Sequence, residues 1–166
     1  MILYHGSNVK INEINLSLCK PNKDFGKGFY LTSVRSQAED MAVRRVRMLG
    51  TGEPQVTTFE FEEKWLNDDS LKVKIFPQVS VEWARFVLDN RDINRKGFSH
   101  QYDIVVGPVA DDTVAFQLRR YLLGVISLED LVKELTYKNI NNQYYFGTEL
   151  AITKLQYIIY LNLKLQ

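Results

Sequence analysis

Asp24-Phe25-Gly26-Lys27-Gly28-Phe29-Tyr30-Leu31-Thr32-Ser33 is the stretch on which the reading of this chain turns. Two glycines, one residue apart, run straight into Phe-Tyr-Leu-Thr, which has strand composition. Gly26 and Gly28 carry no Cβ, so a ligand or a second backbone can approach closely there. Lys27 sets one positive charge beside that opening. Tyr30 lies two residues past Gly28 and so projects from the same strand face. The pattern describes a narrow slot with an aromatic wall, or a β-bulge leading into a buried aromatic strand. Two further strand ends also stop at glycine. Leu3-Tyr4-His5-Gly6-Ser7 delivers a histidine, and Asn142-Gln143-Tyr144-Tyr145-Phe146-Gly147-Thr148-Glu149 delivers a carboxylate. Three strand ends therefore offer His5, Tyr30 and Glu149.

The chain has 166 residues, enough for one domain with a substantial core. Its 45% hydrophobic and 25% charged content sits in the globular range and outside the disordered one. A formal net charge of +1 provides no global field that would select nucleic acid or a membrane surface. Cys19 is the single cysteine, so a disulfide framework and a cysteine-based metal site are both excluded, in keeping with a reducing compartment. With only His5 and His100, a histidine-rich zinc site is not expected. No apolar run approaches the roughly 20 residues of a membrane span, and no secretory pattern opens the sequence. These features predict a cytoplasmic protein.

Outward from the central stretch, Ile2 to His5 predicts a strand and Val9 to Leu18 an extended edge or loop. Ser33 is placed to cap a helix from Val34 to Leu49, with Ala38, Met41, Ala42, Val46 and Leu49 on its apolar face. Arg44, Arg45 and Arg47 fall late in that helix, where the dipole favours cations or where they can meet phosphate. Strands are expected over Val56 to Phe61, Leu71 to Phe76 and Gln143 to Phe146. Tyr102 to Val109 reads as a strand buried on both faces. Ser80 opens a helix through about Asn90, with Trp83, Phe86 and Val87 inward, and Asp89 to Gly97 follows as a polar loop. Asp111 or Asp112 caps a helix carrying Val114, Leu118, Tyr121 and Leu122. Ser127 and Asp130 form a capping box for a helix to about Leu135. A short helix starts near Thr148, and Tyr157 to Leu165 is expected to close the chain as a long strand. No repeat or linker divides the sequence. The order of elements predicts an α+β fold, with helices on a mainly antiparallel sheet.

His5-Gly6-Ser7, Gly26-Lys27-Gly28-Phe29-Tyr30 and Glu149 together resemble the ADP-ribosyltransferases of the histidine–tyrosine–glutamate type, the diphtheria-toxin-like and poly(ADP-ribose) polymerase-like enzymes. More closely, the chain resembles a bacterial domain of unknown function, family three-nine-nine-zero. That likeness extends over nearly the whole length and includes Val106-Gly107-Pro108-Val109-Ala110-Asp111-Asp112 and Phe146-Gly147-Thr148-Glu149. The resemblance implies one ADP-ribosyltransferase-like domain over residues 1–166, a split β-sheet with flanking helices and NAD in the cleft. By position, His5 would hydrogen-bond the adenosine-side ribose of NAD, and the backbone of Gly6 would hold the nicotinamide carboxamide, with Ser7 and Gly28 beside them. Tyr30 would stack on the nicotinamide ring, and Glu149 would hydrogen-bond the nicotinamide-side ribose. NAD would serve as substrate, with no metal. The acceptor would be a protein or nucleic acid, and an antitoxin-like partner would suit a toxin or defence role.

The chemistry suits those residue types. Cleaving ribose from the pyridinium leaves an oxocarbenium-like sugar, the electronic problem that glycosidases face. A carboxylate held beside it stabilises charge where charge develops. A flat aromatic wall attracts a flat cationic ring by about 0.5–2 kcal/mol. Each residue also has a structural reading: His5 as a satisfied strand-end residue, Tyr30 as core, Glu149 as a first-turn helix acid. The pattern departs from many transferases at Gly147, where a Glu or Gln two residues before the catalytic Glu orients the acceptor. Gln143, on the same strand, is a candidate substitute. Two alternatives follow: a nucleotide- or partner-binding module without catalysis, and transfer to an RNA phosphate.

Overall fold

Alternation and β-branched or aromatic content build the sheet, and the computed structural model describes residues 1–94, 99–136 and 141–158 of the chain. The strands are β1 (Ile2–Ser7), β2 (Phe29–Thr32), β3 (Gln55–Phe61), β4 (Val73–Ile75), β5 (Ile104–Pro108), β6 (Asn142–Phe146) and β7 (Leu155–Tyr157). They form one sheet in the order β4-β5-β6-β2-β1-β3-β7. Neighbours are antiparallel except for β4 and β5, which run parallel. The helices are α1 (Arg35–Leu49), α2 (Val81–Arg91), α3 (Asp112–Leu122), α4 (Leu128–Thr136) and α5 (Glu149–Ile152), giving the expected α+β class.

The centre of the sheet is thinly stitched. β1 pairs with β3 from Ile2↔Glu60 to Ser7↔Gln55, and β2 pairs with β6 from Phe29↔Phe146 to Thr32↔Gln143. Between β1 and β2 the only ladder pair is Tyr4↔Thr32. Beyond it, toward Gly6 and Tyr30, the two strands run without a further pair.

Each face of the sheet buries its own cluster. Leu3, Phe29, Leu31, Phe59, Ile104 and Phe146 pack on one face beneath Ala151 of α5 and Leu155. Phe25, Phe76, Val105 and Tyr145 pack on the other against Trp83 and Val87 of α2, Val114 of α3 and Leu131 of α4. Each such large side chain contributes about 1.5–3 kcal/mol by leaving water. On that second face, α1 rests directly on β1. A Cβ at Gly6 would overlap the Ala38 carbonyl oxygen and stand 2.9 Å from the Ala42 nitrogen.

This close contact explains why α1 departs from its simple periodic reading. Ala38 and Ala42 are buried, but Met41 and Leu49 are about half exposed, because only small residues fit where helix and strand backbones nearly touch. The helix begins one residue later than expected, with Val34 in the cap position and no side-chain cap. Ser33 does not serve, because Thr32 Oγ1 already takes the Val34 N–H at 3.1 Å and donates to Gln37 Oε1 at 2.8 Å. Gly50, at φ +68°, closes α1 in the left-handed conformation. The other caps fall as read: Ser80 on α2, Asp111 on α3, the Ser127–Asp130 pair on α4 and Thr148 on α5. β5 is buried at every position. β4 is shorter than Leu71 to Phe76, since it pairs with β5 only from Val73↔Ile104 to Ile75↔Val106. Val9 to Leu18 contains a 3-10 turn at Leu16–Leu18. Residues 95–97 of the polar loop, and 159–165 of the closing strand, lie outside the described residues.

Candidate functional site

The turn before β2 is held by its own strand. Gly26 takes φ +87°, a conformation that disfavours any side chain. The Tyr30 hydroxyl donates to Gly26 O at 2.7 Å and accepts the Phe25 N–H at 3.0 Å. Burial, the largest influence, raises its pKa far above the ordinary phenol value. The Tyr30 ring lies between Phe25, stacked at 6.4 Å, and Tyr145, edge-on at 5.4 Å. The space at Gly28 and Gly147 is occupied by the neighbouring strand β6, and that at Gly26 by Asn90 of α2. A Cβ on Gly28 would overlap the Tyr145 ring and lie 2.8 Å from Phe146 O, and one on Gly147 would overlap the Tyr145 phenol. The Tyr145 hydroxyl donates to Lys27 O at 3.0 Å, and burial pushes its pKa up to about 12.

Asp24 anchors the same turn to three elements. Its Oδ1 accepts from Arg91 Nε at 2.8 Å and Nη2 at 2.6 Å. Its Oδ2 accepts from the Ala110 N–H at 3.1 Å and from Gln143 Nε2 at 2.7 Å. Arg91 Nη2 also donates to Ala110 O at 3.0 Å. One carboxylate thus joins α2, the end of β5 and the start of β6. Gln143, a candidate for orienting an acceptor, spends its amide on this hub.

His5 sits where β1 and β2 part. Its Nδ1 lies 2.8 Å from Tyr30 O, a pure acceptor, so Nδ1 carries the proton and Nε2 presents a lone pair. The ring stacks on Phe29 with centroids 4.3 Å apart. Burial lowers the His5 pKa most, the Arg45 charge lowers it further, and the Tyr30 carbonyl opposes both. Nε2 has no hydrogen-bond partner among the described residues. Ser7, buried beside it, accepts the Val9 N–H at 3.4 Å.

His100 has a part that its polar surroundings in sequence concealed. Its Nε2–H donates to Phe25 O at 2.7 Å and its Nδ1 accepts the Tyr102 N–H at 3.1 Å, which fixes the neutral form. Burial lowers its pKa too. For both histidines the folded pKa lies below the ordinary 6.5, so below that pH the unfolded chain binds more protons. Stability is therefore expected to fall as pH drops through about 6.5. Melting temperatures from about pH 7.5 to about pH 5 check this, and His100→Gln should flatten the slope.

Three strand ends meet at one end of the sheet. β1 finishes there with His5, Gly6 and Ser7; β2 starts there after Gly28; β6 ends there before Gly147 and Glu149. His5 and Tyr30 touch through main chain, yet their rings face opposite sides of the sheet. His5 lies with Phe29, and Tyr30 with Tyr145. Glu149 opens α5 and is exposed, following Thr148, whose Oγ1 donates to Asp103 Oδ1 at 2.7 Å. Asp24, Arg91, His100 and Tyr145 were not singled out from the sequence. The one local signal was Asp24, immediately before the glycine-bearing turn. Among the described residues no group of three His, Cys, Asp or Glu side chains is arranged to hold a metal, and no helix is long and apolar enough to cross a membrane.

The model of a family described as "Protein of unknown function (DUF3990)" matches residues 1–157. No curated protein and no solved structure matches the chain.

Proposed function

The chain belongs to the DUF3990 family, and from that premise we propose that it is an ADP-ribosyltransferase, releasing nicotinamide from NAD and passing ADP-ribose to a protein or nucleic-acid acceptor. The observation that carries this reading is the neutral His5, with a free lone pair, at the point where β1 and β2 separate. The single bridge at Tyr4↔Thr32 supports a sheet split into two leaves. NAD lying through that split would meet His5 on one face and Tyr30 on the other.

His5 Nε2 accepts a hydroxyl of the adenosine-side ribose. The Gly6 main chain, unpaired with β2, holds the carboxamide. Tyr30, immobilised by its two hydroxyl hydrogen bonds, gives the nicotinamide a rigid wall. Glu149 bonds the nicotinamide-side ribose and opposes the positive charge that grows on it as the glycosidic bond lengthens. The pyridinium nitrogen keeps the bonding electron pair and leaves as neutral nicotinamide. Glu149→Gln is expected to slow nicotinamide release by about 100-fold or more. Because Glu149 is exposed, the melting temperature should hold. Normal turnover by this variant overturns the mechanism.

A second reading rests on Tyr145, which fills the space beside Gly28 and Gly147. There the cleft binds a nucleotide without breaking it. NAD binding with no nicotinamide release, unchanged in Glu149→Ala, selects that reading.

A further inference from the structure

We propose that Arg45 is the diphosphate contact of this site, an inference that rests on the dinucleotide reading above. Gln37, Met41 and Arg45 are spaced four apart and so share one stripe of α1. Gln37 bonds Thr32 of β2, which turns that stripe toward β2. Ala38 and Ala42 lie over Gly6, and Arg45 falls about one turn further along the helix. The helix then ends at Gly50, and the chain returns beside the end of β1, where the Glu53 N–H donates to Asn8 O at 3.0 Å. Arg45 therefore stands over the end of β1, where β1 and β2 part.

Its surroundings set it apart from the two arginines next to it. Arg44 and Arg47 are exposed, whereas Arg45 is half-buried. Among the described residues no carboxylate pairs with it. A partly buried guanidinium with no counter-charge is available to bind an anion. Its charge adds to the burial that lowers the His5 pKa. In a dinucleotide the diphosphate is joined directly to the adenosine ribose that His5 would bind. A guanidinium fork matches two phosphate oxygens.

Calorimetric titration of the whole chain with NAD, ADP and nicotinamide tests the assignment, with Arg45→Ala, Arg45→Lys and Arg47→Ala beside the wild type. Arg45→Ala is expected to weaken NAD and ADP binding by about tenfold or more, from the loss of a charge-assisted contact. Nicotinamide binding should be unaffected. Arg45→Lys should recover part of the loss, and the exposed Arg47→Ala should change little. Wild type that binds NAD, with Arg45→Ala binding it equally well, overturns this inference and leaves the enzymatic reading standing. Wild type that binds ADP through Arg45 but not NAD keeps the diphosphate contact and overturns the NAD reading. Binding of neither nucleotide overturns both.

Discussion

Gly6→Ala is expected to destabilise the fold by about 3 kcal/mol, the upper end of the usual overpacking range. Two effects compete. An alanine would reduce the freedom of the unfolded chain, a gain of about 0.4–1 kcal/mol where the native backbone suits it. Against that, the new Cβ would overlap the Ala38 carbonyl oxygen and stand 2.9 Å from Ala38 C and Ala42 N. These are backbone atoms of α1 and cannot rotate away, so the helix must lift from β1. The clash wins. Urea unfolding measures the loss, and a midpoint equal to wild type would refute the close-packed interface. Gly28→Ala should also destabilise, because its Cβ would meet both the buried Tyr145 ring and the Phe146 carbonyl oxygen.

Asp24→Ala is expected to cost a similar amount, about 3 kcal/mol, for an electrostatic reason. It removes the acceptor of four hydrogen bonds, leaving Arg91 Nε and the Ala110 N–H without that partner, while Arg91 Nη2 and Gln143 Nε2 keep only their bonds to Ala110 O and Pro108 O. A fully buried pair would cost up to about 5 kcal/mol, but the Arg91 side chain is 30% exposed and recovers some hydration. Asp24→Asn should help little, since its amide NH2 would face donors. A double-mutant cycle with Arg91→Ala isolates the pair. A coupling energy near zero would show that the contact contributes nothing net. Loss of this anchor should also loosen the Tyr30 hydroxyl, because Phe25 and Gly26 follow Asp24 directly.

Local chemistry made much of the fold readable. Period-two alternation marked β3, the apolar run marked β5, and capping side chains marked four helix starts. What escaped was tertiary in origin. Nothing around Met41 or Leu49 announces that α1 lies on a glycine and accepts only alanines there. Gly26 and Gly28 were legible as places of close approach, but the approaching groups, Asn90 and Tyr145, lie far from them in sequence. His5 and Tyr30 were legible as strand-end residues; that their rings face opposite sides follows from register, which no single strand encodes. Asp24 and His100 bond partners 67 and 75 positions away, beyond any local pattern.

The order of the sheet sets a problem for the chain during synthesis. β1, β2 and β3 are complete by residue 61, yet the outer side of β2 waits for β6, at residues 142 to 146. Until then a nascent polypeptide carries an open hydrogen-bonding edge rich in aromatic residues, the kind of surface that recruits chaperones or a second copy. Pairings across such long separations also slow folding. The yield of native protein in a cell should therefore depend on how quickly translation delivers that last central strand.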